Sequence, residues 1–430
     1  MSDQMTEESG PSPGSNAQSG TRSLPVRLGL WTLEVLPATI LACLLLPWII
    51  SGGTTDPWNP ATTDLEVYRL AAQDLLAGKD FYATRTPFWG LYYIYPPIAL
   101  LLMLPVAFGP YAMWQVLWTF GLVVAQQSVL RRVGVPRGWR LALVGLLIVV
   151  AVEPIRTTLG YGQVNTFLMA FVVFALLPDP PGSVPRWLRP RGLLIGLATA
   201  IKLTPAYLAV LAFFSRRMAV AWWAFAGFLF CTGIGFALQP GQSMRFWRND
   251  LPAETSGAMY VGNQAISGMV TRWLPMSVWT ITGVIIAGIV AVAGLYAARH
   301  WWLRGQAGFA IGLAGLVTCL VSPLSWTHHY VWVLPFGAAL ALGSALPLWI
   351  RAAGGAWALW IAVQAPLAVL PYRHNAAGTY TFAQDLVANL GPLLGTLFVL
   401  ALAGFAVRER RRVPATRARG LDLPHGRAES

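Results

Sequence analysis

Residues 275–298 read PMSVWTITGVIIAGIVAVAGLYAA, a stretch with no charged side chain. A helix that crosses a bilayer needs roughly 20 predominantly apolar residues, so this stretch predicts a membrane helix. Similar apolar runs recur along most of the chain. At roughly 20 residues per span, we predict about twelve membrane helices, near residues 31–51, 95–109, 111–130, 141–153, 163–178, 192–214, 219–239, 275–298, 308–321, 328–350, 355–371 and 391–407.

The composition excludes an ordinary soluble enzyme. Hydrophobic residues make up 56% of the 430 residues. Between residues 28 and 407 only about 8% of the residues are charged, against roughly 25% in soluble domains. The net charge of +13 reflects arginines in short loops and at the C-terminus, where inside-positive topology and anionic headgroups explain them. We therefore predict an all-α polytopic membrane protein in a lipid bilayer, with no nucleic-acid partner.

The arginines also predict the topology, because cytoplasmic loops carry an excess of basic residues. If the predicted spans alternate, Arg216–Arg217, Arg299, Arg304 and the cluster after residue 407 lie inside. Two loops conflict with this count, since Arg131–Arg140 and Arg186–Arg191 fall outside. We predict that both termini are cytoplasmic.

This topology divides the chain into three parts. Residues 1–27 are predicted to be a disordered cytoplasmic tail, residues 28–407 the membrane domain, and residues 408–430 a basic cytoplasmic tail. Four segments with unusual polar residues then share the extracytoplasmic side, namely 52–94, 240–274, 322–329 and 372–390.

The first outer loop contains Thr63-Asp64-Leu65-Glu66-Val67-Tyr68-Arg69. Thr63 and Glu66 have the spacing of a capping box for a helix that starts at Asp64. The apolar residues that follow recur on one helical face, which predicts an amphipathic helix on the outer leaflet. Asp64 either complements the helix dipole or is a base that the same dipole keeps ionised. Glu66 likewise either caps the helix or contacts a ligand.

Lys202 lies inside the apolar stretch GLLIGLATAIKLTP, residues 192–205. A charge at such depth costs about 2.5–3.5 kcal/mol on insertion scales. Its side chain either reaches to the interface, or the helix breaks near Pro205 and opens onto a polar cavity. A cation in such a cavity suits a phosphate or another anionic group.

Further polar residues lie on the same predicted side. They are Asn263-Gln264, Arg272, His328-His329 and Arg373-His374. Adjacent histidines on a helix project about 100° apart, so His328 and His329 do not chelate one metal from a single face. No zinc-type spacing occurs, and we predict neither a metal nor another cofactor. Each residue alone fits an interfacial role, but their common side favours a shared site.

At these residues the sequence resembles glycosyltransferase family 87, membrane enzymes of the GT-C fold that use polyprenyl-phosphate sugars. The resemblance follows the family's order over about residues 60–335. The matching segments are Asp64–Arg69, Tyr95-Pro96-Pro97, Gly162-Gln163-Val164-Asn165, Gly196–Pro205 around Lys202, Asn263-Gln264 with Arg272, and Ser322-Pro323 with Trp326 and His328-His329.

The resemblance implies that the membrane domain is a GT-C catalytic domain at the extracytoplasmic face of the plasma membrane. The expected reaction is an inverting transfer of mannose from polyprenyl-phosphate-mannose to a mannose hydroxyl of a glycolipid, a phosphatidylinositol mannoside, in α-1,2 linkage. Asp64 is the expected catalytic base. The resemblance and the charges suggest that Lys202, His328, His329 and Arg373 bind the donor phosphate. Glu66, Tyr95, Asn263, Gln264, Arg272 and His374 are expected to bind substrate.

Three alternatives stay open at this point. Within the family, the enzyme could transfer α-arabinose or add mannose branches to lipomannan. In another class, about twelve spans with both termini inside also fit a secondary transporter, whose binding residues lie near the bilayer midplane. One loop is difficult for any of these interpretations, because the span count places Gly162–Asn165 on the cytoplasmic side.

Overall fold

A computed structural model of the chain describes residues 24–51, 62–87, 90–177, 191–248, 259–274, 276–343, 345–370 and 379–412. Throughout these ranges the regular structure is helical, with no strand. The α-helices are α1 Leu24–Ser51, α2 Thr63–Leu76, α3 Pro97–Met103, α4 Tyr111–Arg132, α5 Trp139–Ala151, α6 Glu153–Tyr161, α7 Asn165–Leu176, α8 Gly192–Ile201, α9 Ala206–Phe214, α10 Met218–Leu238, α11 Pro240–Trp247, α12 Ile266–Trp273, α13 Met276–Leu303, α14 Ala307–Val321, α15 Val333–Leu342, α16 Leu348–Val363, α17 Ala365–Val369 and α18 Phe382–Arg412. Short 3₁₀ turns span Leu104–Ala107 and Thr327–Trp332.

Four of the described helices are long and apolar enough to cross a membrane. They lie within α1, α10, α13 and α18, and the pair α5 and α6, bent by 79°, adds a fifth if it counts as one span. The fold is therefore an all-helical membrane protein. The predicted total of about twelve spans stays a prediction, as does the GT-C topology.

Arginines from separate loops gather at one end of this helical bundle. Arg132, the last residue of α4, and Arg191, before α8, both donate to the carbonyl oxygen of Leu177, at 3.1 and 3.0 Å. Arg217, before α10, donates to the carbonyl oxygen of Leu176 at 3.3 Å. We call this region the arginine end.

Helices α13 and α18 finish at the same end. The guanidinium of Arg217 lies 5.7 Å from the ring centre of Trp302, near the end of α13. Arg304 pairs with Glu409, near the end of α18, at 2.8 Å. The described basic residues of several loops thus occupy one side of the molecule, as the inside-positive rule expects of a cytoplasmic face.

The opposite end of these helices carries Asp64. Helix α4 begins where the Tyr111 hydroxyl donates to the carbonyl oxygen of Thr62 at 2.9 Å. Helix α7 begins at Asn165, whose side-chain oxygen accepts a hydrogen bond from Lys202, at the end of α8, at 3.1 Å. We call this region the Asp64 end.

The predicted span at 95–109 is wrong. The structure has only α3 and the 3₁₀ turn Leu104–Ala107 there. The seven residues of α3 rise about 10 Å at 1.5 Å per residue, whereas the hydrocarbon core is about 30 Å thick. Both elements pack beside α2, so the chain stays at the Asp64 end.

The predicted span at 192–214 is also wrong as a single span, because it breaks at Lys202. Helix α8 ends at Ile201, Lys202 has an extended backbone, and α9 begins at Ala206. The chain reaches the Asp64 end with α8 and returns to the arginine end with α9. The alternative of a broken helix near Pro205 is thus confirmed.

These two errors offset one another, and together they explain the conflicting loops. Between residues 95 and 202 the described loops lie at the end of the bundle opposite to the one that the span count predicts. After residue 202 the later helices lie on their predicted sides. Arg131–Arg140 and Arg191 therefore lie at the arginine end, and Gly162–Asn165 lies beside Asp64. The expectation that Gly162–Asn165 faces the cytoplasmic side with the arginines was wrong.

Other boundaries shift without changing sides. The predicted span 328–350 divides into the 3₁₀ turn Thr327–Trp332 and α15, and α16 starts at Leu348 rather than at 355. Both predicted tails overlap helices, since α1 begins at Leu24 and α18 reaches Arg412. Residues 1–23 and 413–430 lie outside the described ranges.

Helix α2 forms as predicted, but the capping box does not. The helix starts at Thr63, and the capping residue is Thr62, which adopts a left-handed conformation without a side-chain capping bond. Neighbouring elements hold this start instead, since the Thr62 amide donates to the carbonyl oxygen of Gly160 at 2.7 Å. The apolar face of α2 packs into the bundle, where Leu65 and Tyr68 are buried.

Lys202 lies below the ends of the long helices. Helices α8 and α10 run parallel and in close contact. A Cβ atom on Gly192 would lie 2.1 Å from the carbonyl oxygen of Val220, and one on Gly196 would lie 2.4 Å from that of Ala224. In this register Lys202 lies beside α10 at a level roughly 10 Å before the end of that helix, at a rise of about 1.5 Å per residue. The Asp64 end is therefore a recess rather than a flat surface.

Candidate active site

Asp64 is in the first turn of α2 and is half-buried. Its Oδ2 atom accepts a hydrogen bond from Nε2 of Gln163 at 2.7 Å. Gln163 belongs to the loop between α6 and α7 and is itself buried. The segment that sequence analysis put on the wrong side is thus a direct neighbour of the expected catalytic carboxylate.

Two tyrosines hold the other end of the Gln163 amide. The hydroxyls of Tyr68 and Tyr95 donate to Oε1 of Gln163 at 3.3 and 3.1 Å. Burial and the nearby charge of Asp64 raise the pKa of Tyr95 to about 12, so its hydroxyl stays protonated. With Oε1 accepting from both hydroxyls, the NH₂ group of the amide points at Asp64.

Gly162 permits this loop to approach α2. It has a positive φ of 68° and a Cβ atom there would lie 2.8 Å from Cβ of Leu65. A positive φ suits glycine because it has no side chain. The backbone N–H of Gln163 then donates to the carbonyl oxygen of Thr158 at 3.0 Å, and this bond closes the turn at the end of α6.

Lys202 brings a cation to the same site. Its Nζ atom donates to Oδ1 of Asn165 and lies 6.0 Å from the ring centre of Tyr95. Lys202 and Asp64 are close enough to interact electrostatically. The helix break therefore delivers a cation beside the predicted base.

Asn165 connects Lys202 to the two histidines. Its Nδ2 atom donates to the carbonyl oxygen of His328 at 2.9 Å. The Nδ1 atom of His329 accepts from the backbone N–H of Trp326 at 3.2 Å. A ring nitrogen that accepts carries no proton, so His329 is neutral and its proton is on Nε2. His329 thus presents a hydrogen-bond donor at Nε2 in this arrangement.

A small polar cavity lies between these groups. Hydroxyl, amide, ammonium and imidazole groups line it together with three larger apolar or aromatic side chains. Its lining is Asn165, Leu168, Lys202, Thr204, Pro205, Thr318, Cys319, Ser322, Ser325, His329 and Trp332. Such a set of donors around one cation suits an anionic oxygen-rich group.

His328 adjoins this cavity without lining it. Its ring contacts those of Tyr161 and His329, with centroid distances of 5.5 and 4.6 Å. The side chain is buried, and its Nδ1 atom has no hydrogen-bond partner among the described residues. The two imidazole rings meet edge to face, with their planes at 89° to each other.

Asn263, Gln264 and Arg272 form a separate buried cluster. Oδ1 of Asn263 accepts from the Ser325 backbone N–H at 3.0 Å, and Nε2 of Gln264 donates to Ala388 O at 3.1 Å. Arg272 donates to Asn263 O at 3.0 Å and also reaches α18. Burial lowers the pKa of Arg272 to about 10, so it stays charged. These bonds join the loop before α12 to the segment that carries Ser325.

One further expected residue, Glu66, lies away from the cavity, and two lie outside the described ranges. Glu66 is two residues after Asp64, on a different side of α2, close enough to Tyr111 for an electrostatic interaction. Partial burial raises the pKa of Glu66, and its Oε2 atom has no hydrogen-bond partner among the described residues. Arg373 and His374 are within residues 371–378, which the structure does not describe.

Sequence analysis missed several residues of the site. Gln163 and Asn165 were recognised as a motif but assigned to the wrong side, while Thr204, Ser322 and Ser325 were not singled out as cavity residues. The sequence does contain a feature that indicates them, because polar side chains inside apolar runs commonly face a polar cavity within the protein. Glu153 and Arg156 give the same signal in α6, where they form an ion pair.

The fold and this site define a helical membrane protein with a half-buried carboxylate, a nearby cation and a cavity lined by several hydrogen-bond donors. The sequence profile described as glycosyltransferase family 87 matches residues 93–323. The chain belongs to glycosyltransferase family 87. It is therefore a membrane glycosyltransferase, and the transporter alternative is wrong.

Mycobacterial proteins are among the relatives. The polyprenol-phosphate-mannose-dependent alpha-(1-2)-phosphatidylinositol pentamannoside mannosyltransferase of Mycolicibacterium smegmatis is 31% identical over 70% of this chain and 73% of its own length. The polyprenol-phosphate-mannose-dependent alpha-(1-2)-phosphatidylinositol mannoside mannosyltransferase of Mycobacterium tuberculosis is 29% identical over 92% of this chain and 96% of its own length. A protein of the latter name from Mycolicibacterium smegmatis is 29% identical over 80% of this chain and 85% of its own length.

Proposed function

We propose that this enzyme transfers mannose from polyprenyl-phosphate-mannose to a mannose hydroxyl of a phosphatidylinositol mannoside, with inversion and in α-1,2 linkage. The observation that carries the proposal is the convergence of Asp64, Lys202 and His329 at one end of a family 87 glycosyltransferase. The mycobacterial relatives act with polyprenol-phosphate-mannose on phosphatidylinositol mannosides, as their names state, and they supply the donor and acceptor classes of the proposal.

Asp64 acts as the general base in this mechanism. An α-linked product formed from a β-linked donor needs a single in-line displacement, so no covalent sugar intermediate is required. The acceptor hydroxyl attacks the anomeric carbon as the bond to the phosphate oxygen breaks, and the hydroxyl proton passes to the carboxylate. A positioned base of this kind typically contributes about 10²–10⁴-fold to the rate.

Lys202 and the histidines serve the departing phosphate. The leaving group takes its electron pair as a phosphate oxygen and becomes more negative during the displacement. A preorganised cation and N–H donors stabilise such developing charge. In the proposal Lys202 supplies the charge, His329 donates from Nε2 beside it, and His328 and Arg373 complete the phosphate site.

The remaining expected residues have two kinds of role. Asn263, Gln264 and Arg272 hold the Ser325 segment by bonds to backbone groups, which supports a positioning role next to substrate. Tyr95 lies between Lys202 and Gln163, so we propose that it borders the sugar. Contacts of Glu66 and His374 with substrate stay predictions.

The arginine end faces the cytoplasm in this proposal, and the Asp64 end opens to the extracytoplasmic side of the plasma membrane. The clustering of arginines supports this orientation by the inside-positive rule. The recess of Lys202 by roughly 10 Å below the end of α10, at 1.5 Å per residue, suits a donor whose phosphate is tied to a membrane-embedded lipid. The acceptor sugar then approaches from the aqueous side.

An assay of the purified full chain in lipid nanodiscs tests the proposal. We expect it to transfer radiolabelled mannose from polyprenyl-phosphate-mannose to phosphatidylinositol mannosides, and an α-1,2-specific mannosidase to release the label. Asp64→Asn should be inactive. Transfer from polyprenyl-phosphate-arabinose instead, or a mannose product that resists the mannosidase, would contradict it, and a series of acceptors that includes lipomannan identifies the preferred acceptor.

A further inference from the structure

We infer that Gln163 is a positioning residue for the reaction, because its side-chain amide orients the carboxylate of Asp64 and favours its ionised form. The inference rests on the proposed function, in which Asp64 is the base. It concerns a residue of the Gly162–Asn165 loop, to which sequence analysis assigned the opposite side of the membrane.

The first support is the fixed direction of the amide. Nε2 of Gln163 lies 2.7 Å from Oδ2 of Asp64, while Oε1 accepts from the hydroxyls of Tyr68 and Tyr95. All three of Gln163, Tyr68 and Tyr95 are buried. Rotating the amide by 180° would place its oxygen 2.7 Å from the carboxylate oxygen of Asp64, and an ionised carboxylate only accepts hydrogen bonds, so the carboxylate selects the orientation in which the NH₂ group faces it.

The second support is that both partners belong to one rigid joint. The Thr62 amide, at the start of α2, bonds to Gly160 at the end of α6. Gly162 then lets the loop pass within van der Waals contact of Leu65. Because the joint ties α2 to α6, the distance between Asp64 and Gln163 is set by the fold rather than by flexible side chains.

The chemical consequence follows from the direction of this hydrogen bond. A donor to a carboxylate stabilises its charged form and lowers its pKa. Among the described residues, other titratable groups that interact electrostatically with Asp64 are Lys202, Tyr68, Tyr95 and Tyr111, and the Gln163 variants leave all four in place. A general base must be ionised to accept a proton, so activity falls at pH values below the pKa of the base. Removing the Gln163 donor therefore moves the acid limb of the pH–activity profile to higher pH.

Two variants separate this role from packing alone. Gln163→Leu removes both the N–H donor and the oxygen acceptor of the side-chain amide, while the leucine side chain has a volume similar to that of glutamine. Gln163→Glu keeps oxygen atoms that accept from Tyr68 and Tyr95 but places a second carboxyl group beside Asp64, so the two titrate as a pair and one pKa of the pair is raised. If one of the two fails to fold, the other still gives the profile.

A matched control is available on α2. Gln73 is also a partly buried amide, and its Nε2 atom donates to the carbonyl oxygen of Ala107 at 3.2 Å. Gln73→Leu removes an anchoring amide of the same helix two turns beyond Asp64. It should leave the pH profile unchanged.

The experiment measures kcat/KM between pH 5 and 9 with polyprenyl-phosphate-mannose and a phosphatidylinositol mannoside. For Gln163→Leu we expect kcat about 10–100-fold lower, because the base stays in place and only part of its roughly 10²–10⁴-fold contribution is lost, and an acid limb about one pH unit higher. For Gln163→Glu we expect a larger shift. An unchanged acid limb in a folded variant overturns the inference while Asp64→Asn stays inactive. An active Asp64→Asn overturns the proposed function and the inference with it.

Discussion

The ammonium of Lys202 donates to the amide oxygen of Asn165 at 3.1 Å, and the same amide donates to the carbonyl oxygen of His328 at 2.9 Å. A neutral amide orients a cation without neutralising it. Asn165 thus fixes the direction of the Lys202 side chain and ties it to the segment of the two histidines. The charge of Lys202 stays available for an anionic ligand.

Replacing Lys202 should weaken the use of the donor more than that of the acceptor. Lys202→Met keeps the apolar stem but removes the charge that faces the departing phosphate. We expect kcat/KM for polyprenyl-phosphate-mannose to fall by about 100-fold, the usual scale for loss of one electrostatic stabiliser. His328→Ala should act in the same direction. Steady-state kinetics with each substrate varied in turn measures both effects.

The control for this prediction is the chain's other lysine. Lys79 is largely exposed and pairs with Asp74 at 3.6 Å. Lys79→Met should therefore leave both kinetic constants unchanged. A Lys202→Met enzyme with an altered acceptor KM and normal donor kinetics would remove Lys202 from the phosphate site.

Asp64→Asn should abolish transfer while preserving the fold. The asparagine keeps the size of the side chain and its place in the first turn of α2 but has no useful proton affinity. We expect activity to fall by about 10²–10⁴-fold, the typical contribution of a general base, with normal thermal unfolding and donor binding. Single-turnover assays with labelled donor give the rate of the chemical step.

The matched control makes the same change on the same helix. Asp74 accepts from Thr84 at 2.6 Å and lies away from the cavity, so Asp74→Asn should keep full activity. Near-normal turnover in Asp64→Asn, together with an inactive Glu66→Gln or Asp56→Asn, would move the base elsewhere in the first loop.

The residues that gather at the candidate site could be singled out in the sequence more readily than the end of the bundle at which each segment lies. Asp64, Lys202 and the histidines could be singled out because charged and titratable groups are costly in an apolar chain. The side of Gly162–Asn165 depended instead on counting every earlier span. Residues 95–109 have the composition of a span, and only the structure shows that they form a short helix beside α2.

The partners of buried polar residues around α12 could not be predicted from the sequence. Gln264 and Arg272 look like ligand-binding residues in the sequence, yet they bond to backbone or side-chain groups of α18, more than 100 residues away. No local pattern reports such a distant partner. The two arginine loops did carry a correct signal, since their positive charge favoured the arginine end and contradicted the span count.

Gly162→Ala should impair both stability and transfer. The alanine meets a positive φ of 68° and a Cβ distance of 2.8 Å from Leu65, so the loop must move away from α2 and take Gln163 with it. We expect a cost of about 1–3 kcal/mol for the backbone strain and a further loss from the contact. Thermal unfolding and the transfer assay measure the two effects.

Gly78→Ala isolates the strain in this comparison. Gly78 follows α2 with a φ of 69°, and nothing lies within 4 Å of an added Cβ atom. It should lose some stability but keep its activity when folded. If Gly162→Ala behaves like Gly78→Ala, the close approach of the loop to α2 has no part in catalysis.

Cysteine accessibility should distinguish the topology of the structure from that of the span count. Lys79 and Arg140 are both exposed, the first near the Asp64 end and the second in the first turn of α5. In a variant without the native cysteines Cys43, Cys231 and Cys319, an impermeant maleimide added to intact cells should label Lys79→Cys. Arg140→Cys should react only after permeabilisation, because basic loops are retained inside.

The outcome for Arg140 decides between the two arrangements. The simple alternation of spans puts Arg131–Arg140 outside, whereas the shared contacts of Arg132 and Arg191 with Leu177 put that loop at the arginine end. Labelling of both cysteines from outside would mean that α4 does not run from the Asp64 end to the cytoplasm. Labelling of Arg140→Cys alone would invert the whole proposed orientation and move Asp64 to the cytoplasmic face.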